Sequence, residues 1–228
     1  MIISKAELSR TPGSQGSLAK VLLSGTQGDR SHGLVWSLFS RSDEPMRDFL
    51  FREIEPGSYM IVSHRAPEDP HGLWKVKSQP FDPALQIGDR LGFVLRANPA
   101  MAVPQPGKKR GLRVDAIMHA KSKISKTERT EFNEVDAQRV ALDWLTKRGT
   151  AIGVEFDTDS CTATGYRQVQ IPRQRPEKPI EFSEIDYDGV LTVTDPGKLG
   201  AALAAGIGKA KAYGCGLMLI RRVNFPAN

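Results

Sequence analysis

One order of elements occurs twice along this chain, and that repeat limits the architecture more than any single motif. Residues 2–9 read as a strand. SHGLVWSLF at 31–39 then places Leu34, Leu38 and either Trp36 or Val35 with Phe39 at helical spacing behind Ser31 as N-cap, predicting a helix over 30–40. RDFLFREIE at 47–55 and SYMIVSH at 58–64 form a hairpin around Pro56 and Gly57. GLWKVKSQP at 72–80 is a further short strand and DRLGFVLRANP at 89–99 a stronger one, with Leu91, Phe93 and Leu95 on one face and Pro99 at its end.

The second half opens on a segment with Pro104, Pro106 and Gly107, read as a loop between domains. DAQRVALDWLTKRG at 136–149 is a helix with an acidic start at Asp136, a basic finish at Lys147 and Arg148, and Gly149 as its stop. AIGVEF (151–156), YRQVQI (166–171) and GVLTVT (189–194) are strands. DPGKLGAALAAGIG makes a helix with Asp195 as cap, Pro196 in its first turn and Gly206 as stop, before a last strand CGLMLI at 215–220. Each half therefore approaches strand, helix, strand, strand, helix, strand, with the second helix of the first half poorly defined. The fold class that follows is α+β: two tandem ferredoxin-like (RRM-like) domains with antiparallel sheets, placed at 1–100 and 101–228. Sheets covered by helices on one face leave the other face, or the cleft between two copies, free to hold RNA.

Composition narrows the function by exclusion. The 228 residues suffice for two small domains, and 39% hydrophobic with 25% charged residues is ordinary globular usage. No run approaches the ~20 apolar residues of a membrane span, and MIISKAELSR has no signal-peptide pattern, so a cytoplasmic protein without membrane attachment is expected. Cys161 and Cys215 belong to no CxxC, and His32, His64, His71 and His119 form no HxxxH or HExxH, so neither a metal site nor a cofactor is expected. The absence of GxxxxGK[ST] and GxSxG sets aside P-loop ATPases and α/β-hydrolases.

The net charge of +6 is unevenly placed. Residues 1–100 carry 12 Lys and Arg against 11 Asp and Glu, whereas 101–228 carry 20 against 15. The stretch 104–126 alone holds Lys108, Lys109, Arg110, Arg113, Lys121, Lys123 and Lys126 against Asp115. A concentrated basic stripe is the footprint of a polyanion site, because each cation docked on a phosphate releases condensed counterions; the other reading of the same charges is a solvated loop. Trp36, Trp74 and Trp144 lie in apolar periodic runs and are read as core rather than as base-stacking platforms.

GIGKAKAYGCGLMLI at 206–220 is a glycine-rich basic turn leading into an apolar strand. Gly206, Gly208, Gly214 and Gly216 let backbone approach a phosphate, and Lys209 and Lys211 supply charge. This run resembles the C-terminal glycine-rich loop of repeat-associated CRISPR proteins, and more specifically of the CasE family, the CRISPR RNA-processing endoribonucleases of type I-E Cascade. The resemblance continues in GVLTVTDPGKL at 189–199, FVLRANPAM at 93–101, RDFLFREIE at 47–55 and the H-x3-W-x-L-F spacing of His32, Trp36, Leu38 and Phe39, in order over nearly the whole chain.

What the resemblance implies is a metal-independent endoribonuclease of twin ferredoxin-like fold. Such an enzyme binds the CRISPR repeat hairpin, cuts at the 3′ base of the stem and stays bound as a Cascade subunit beside the other subunits, monomeric when free. His32 matches the family's catalytic histidine, and an imidazole suits proton transfer near neutrality. Family members often carry a tyrosine three residues earlier, where this chain has Asp29; Ser31, Lys20 or a lysine of the 206–216 loop are open as its proton-transfer partner. Lys108, Lys109, Arg110 and Arg113 follow the FVLRANP strand where the family has its basic stretch and are assigned to the hairpin backbone. Arg167, Arg173 and Arg175 are placed toward the groove of the stem, and Lys209, Lys211, Gly214 and Gly216 complete the expected RNA contacts. Two other readings stand beside this one: a non-catalytic RNA-binding subunit with the same fold, and a sequence-tolerant nucleic-acid chaperone of unrelated α+β fold.

Overall fold

The computed structural model describes residues 1–9, 27–39, 47–70, 72–172 and 178–223, with 27–30 described by their backbone alone. The first sheet contains β1 (Ile2–Leu8), β2 (Phe49–Glu55), β3 (Ser58–Ser63) and β4 (Trp74–Pro80) in the order β2-β3-β1-β4, every pairing antiparallel. Helix α1 (Gln27–Trp36) falls between β1 and β2. Period-two alternation decides what each face meets. Ala6, Phe49, Phe51, Tyr59 and Ile61 pack with Leu34, Val35 and Leu38 of the α1 region in one buried core. Their neighbours Ile3, Leu50, Met60 and Val62 pack instead with Leu217 and Leu219 from the far end of the chain. Both faces of this sheet are thus apolar, one for its own helix and one for the second domain.

Because α1 begins at Gln27, Ser31 is not its N-cap. It is buried inside the helix, its hydroxyl donating to Glu53 Oε2 and lying 3.2 Å from the Tyr59 hydroxyl. Between β3 and β4 the described residues hold no helix. A side-chain turn stands there, the Asp69 carboxylate accepting from the Leu73 and Trp74 N–H groups at 3.0 and 2.8 Å.

The second domain starts with β5 (Arg90–Ala97), continues through a hairpin of β6 (Ala100–Val103) and β7 (Leu112–Asp115), and then turns helical. Helices α2 (Ala116–Lys123), α3 (Lys126–Glu131), α4 (Glu134–Thr146) and the single turn α5 (Gly149–Ile152) lead to β8 (Val154–Phe156), β9 (Thr162–Ile171) and β10 (Ile180–Val193). Helix α6 (Pro196–Ala205) and β11 (Met218–Arg222) close the domain. The strand order is β11-β5-β10-β8, with β9 also paired to β10, all antiparallel. In both sheets the first strand lies between the last and the next-to-last, the strand order of a βαββαβ ferredoxin-like domain, so the twin fold is as the repeat implied.

Four expectations are corrected. β5 bonds to β10 and β11 and to no strand of the first sheet, so the sheets divide in the link 81–89 rather than at residue 100. The basic segment is not an irregular link between domains: it is the β6–β7 hairpin followed by α2 and α3, inserted after the first strand of the second domain. Gly149 does not stop a helix but opens α5, packed where a Cβ would lie 2.6 Å from the Val154 carbonyl, and the strand expected over 151–156 shortens to β8.

Helix α4 shows how firmly this domain is specified. Asn133 caps it by accepting from the Val135 and Asp136 N–H groups, and the Asp136 carboxylate accepts from the Asn133 N–H in return. Ala137, Ala141, Trp144 and Leu145 form its buried stripe, and a fully buried leucine such as Leu145 contributes about 1.5–3 kcal/mol. Trp144 Nε1 donates to the Ala100 carbonyl at 2.9 Å, tying the helix to the root of the hairpin. Among the described residues no helix is long and apolar enough to cross a membrane.

Candidate functional site

The loop 206–216 is wedged between the two sheets. Gly206 has φ +77° and approaches β2 so closely that a Cβ would lie 2.8 Å from Leu50 Cδ2. The Ile207 N–H donates to the Gly216 carbonyl at 2.8 Å, and the Gly216 N–H donates to the Arg96 carbonyl on β5 at 2.7 Å. Gly216 is itself buried, with φ +89°. These bonds present the short 3-10 turn Lys211–Tyr213 toward α1.

Two adjoining clefts run along this loop. The first, about 230 Å3, is lined by Ser31 of α1, Glu53 of β2, Arg96, Arg167, Glu184, Tyr213 and Gly214, among others. The second, about 460 Å3, continues past Asn98, Arg113, Asp115, Ser183 and Lys209. Gln168, Val169, Phe182 and Tyr213 border both. Phe182 and Tyr213 stack at 5.3 Å between ring centroids, giving the shared border an aromatic surface. The half-buried His32 packs at the first cleft's edge, its ring 6.1 Å from Tyr213 and 5.8 Å from Trp36.

The floor of the first cleft is an ion-pair network that also joins the domains. Arg96 on β5 lies opposite Asp186 on β10 and donates to it at 2.9 and 2.7 Å; Arg52 on β2 reaches across from the first sheet to the same carboxylate at 3.0 Å. Arg167 on β9 lies opposite the buried Glu184 and donates to it at 2.6 Å through Nε. Hydrogen bonding to Asp186 pushes the Arg96 guanidinium up, whereas burial pushes Arg52 down despite the same acid. Cys215, buried against Glu184, is pushed up by burial and by that carboxylate, which keeps it a neutral thiol.

Of the residues singled out in the sequence, the structure brings His32, Arg113, Arg167, Lys209 and Gly214 to the rims of these clefts. Lys108, Lys109 and Arg110 are exposed at the tip of the β6–β7 hairpin, and Arg113 is exposed on β7. Lys211 is tied back instead: its Nζ donates to the Ala205 carbonyl at the end of α6 at 2.6 Å, and burial with the nearby Arg47 and Lys209 charges pushes its ammonium down. Gly216, with its N–H already given to Arg96, is corrected from a phosphate contact to a packing position. Arg173, Arg175, Lys20 and the Asp29 side chain lie outside the described residues. Among the described residues no three His, Cys, Asp or Glu side chains are grouped as metal ligands would be. Tyr213, Phe182 and Arg47 escaped the sequence reading; the one signal for Tyr213 was a lone aromatic between Lys211 and Gly214, in a run with no apolar period to absorb it.

The profile of the CRISPR-associated protein family matches residues 4–222. The CRISPR system Cascade subunit CasE of Escherichia coli is 28% identical over 82% of this chain and 88% of its own length. The CRISPR-associated endoribonuclease Cse3 of Thermus thermophilus is 30% identical over 83% of this chain and 87% of its own length. A solved structure of CRISPR endoribonuclease Cse3 bound to 19 nt RNA superposes with a TM-score of 0.69 at 23% identity, covering 97% of this chain and 100% of that one, which is agreement of fold. With the twin antiparallel sheets, the glycine-rich loop between them and sequence likeness along almost its full length, this chain belongs to the CasE family of CRISPR-associated proteins.

Proposed function

We propose that this protein matures CRISPR RNA: it binds the hairpin of each repeat in the precursor transcript, cuts at the 3′ base of the stem, and stays with its product as a cytoplasmic Cascade subunit. The observation that carries the reading is the position of His32, on the first domain's helix, 6.1 Å from Tyr213 of the second domain's loop, which borders two adjoining clefts, one lined by Arg167 and the other by Arg113 and Lys209. Its relatives support it, one an endoribonuclease by name and the other a Cascade subunit.

In the proposed reaction the 2′-oxygen of the scissile nucleotide attacks the adjoining phosphorus, and the bond to the 5′-oxygen breaks. The products are a 2′,3′-cyclic phosphate and a 5′-hydroxyl. His32 is the principal proton-transfer residue, since an imidazole can accept or release a proton near neutral pH. The exposed Lys108, Lys109, Arg110 and Arg113 hold the stem's backbone, and Lys209 and Arg167 flank the strand as it enters the cleft. The Arg167 side chain is 52% exposed, so it can offer a phosphate the N–H groups it does not give to the buried Glu184.

The test is cleavage of a repeat hairpin RNA in excess EDTA, with and without a 2′-deoxy substitution at the scissile nucleotide. Undiminished cutting of the all-ribose RNA, cyclic-phosphate ends and an inert deoxy substrate are expected. Loss of activity on chelation, or cutting of the deoxy substrate, overturns the proposed chemistry.

A further inference from the structure

Cleavage by 2′-oxygen attack needs two proton transfers, one away from the nucleophile and one toward the leaving 5′-oxygen, and a single imidazole poised for the first leaves the second without a donor. The geometry points to Tyr213 as that donor: its ring faces His32 at a centroid distance of 6.1 Å, and it is the side chain that borders both clefts from the glycine-rich loop. The inference rests on the endoribonuclease reading above and adds to it a residue on the opposite domain from His32.

Several features favour Tyr213 over its neighbours. Ser31 has its hydroxyl engaged with Glu53 and Tyr59 inside the first domain. Lys211 is held to the Ala205 carbonyl at the end of α6. Tyr213 is fixed by stacking on Phe182, and the turn that carries it is closed by the Tyr213 N–H donating to the Ala210 carbonyl at 2.9 Å, so its phenol is a positioned group rather than a swinging one. Arg47 lies within electrostatic reach of Tyr213, its guanidinium pushed down by burial and partly restored by the charge of that side chain.

In the step, the 2′-oxygen gives its proton to His32 as the O–P bond forms. The P–O5′ bond breaks with its electron pair going to the 5′-oxygen, which takes the Tyr213 proton. The resulting phenolate, held beside Arg47, recovers a proton from the His32 imidazolium through water, and the site returns to its starting state. No metal, oxidant or further reactant enters.

Tyr213→Phe keeps the ring that stacks on Phe182 and removes only the hydroxyl. Single-turnover cleavage of a type I-E repeat hairpin RNA should fall by ~10²-fold while hairpin affinity stays close to that of the parent. The decisive substrate carries sulfur in place of the scissile 5′-oxygen. A thiolate leaves without a proton, so Tyr213→Phe should cut this RNA nearly as fast as the parent does, whereas His32→Ala should remain slow on it. Parental cutting of the oxygen substrate by Tyr213→Phe, an equal defect on the sulfur substrate, or a large loss of hairpin affinity each overturn the assignment. A parent protein that cuts neither RNA overturns the endoribonuclease reading itself.

Discussion

The two domains repeat one fold and use it differently. In the first, the sheet is covered by α1 alone among the described residues, its second helix replaced by the Asp69 turn, and it carries His32 at the edge of the cleft. The second has the full set of helices, an inserted hairpin with an exposed cationic tip, and the loop that faces His32. On the proposed reading each copy contributes one proton-transfer residue, His32 from the first and Tyr213 from the second, while the cations that hold the stem come from the second alone. The site exists only where the two copies meet, over the apolar patch of Leu50, Val62 and Leu217 and the Arg52–Asp186 ion pair.

If that division holds, substitutions at the proton-transfer residues and at the cationic hairpin should fail in separable ways. The largest effect belongs to the first domain: His32→Ala should lower single-turnover cleavage by ~10²-fold or more and leave hairpin affinity nearly unchanged, measured by rapid quench beside a filter-binding titration. Parental cutting by this variant would remove His32 from the catalytic machinery. Next comes the second domain. Ala at Lys108, Lys109, Arg110 and Arg113 together should weaken hairpin binding by about tenfold or more and flatten its salt dependence, by up to about 0.9 in slope for each phosphate no longer neutralised, with the rate of the bound complex preserved. An unchanged slope would mark the hairpin tip as solvated surface. The smallest effect is expected at the joint, where Arg52→Ala leaves Asp186 still paired with Arg96: a drop of about 1–2 kcal/mol in denaturant unfolding, with cleavage and affinity changed only slightly. A rate defect approaching that of His32→Ala would mean that the joint sets the site's geometry and that the division is not clean.

The sequence made the repeat legible because most of its strands have one dominant face or a clear turn beside them. The Asp195 cap, Pro196 and Gly206 bound α6 where expected, and of the apolar run Val140, Leu142, Trp144 and Leu145 the last two are buried in α4 while the first two pack partly exposed against the same core. The misreadings share a cause in tertiary context. Pro104, Pro106 and Gly107 are turn residues, but they mark the tip of a hairpin whose strands are four residues each, too short to show alternation. β5 carries the same apolar pattern whichever sheet receives it, so the division at residue 100 could not be improved without knowing its partners. β10 buries Ser183 and Glu184 side by side, because one face meets Asn98 and Asp115 while the other meets Arg167 and Cys215. His32 was singled out through its family spacing. Tyr213 was not, since its nearness to His32 arises from a contact between domains far apart in the chain.

The order of the second sheet also dictates the order in which the site can be assembled during synthesis. β5 ends at Ala97, yet its two partners begin only at Ile180 and Met218. A ribosome-bound chain can complete β1 through β4 and α1, and so display His32, long before β5 has a neighbour on either side. The glycine-rich loop is held by Arg96 of β5 and comes to rest only as β11 docks. A nascent chain therefore carries its histidine before the loop that will face it exists, and catalytic competence arrives with the last strand.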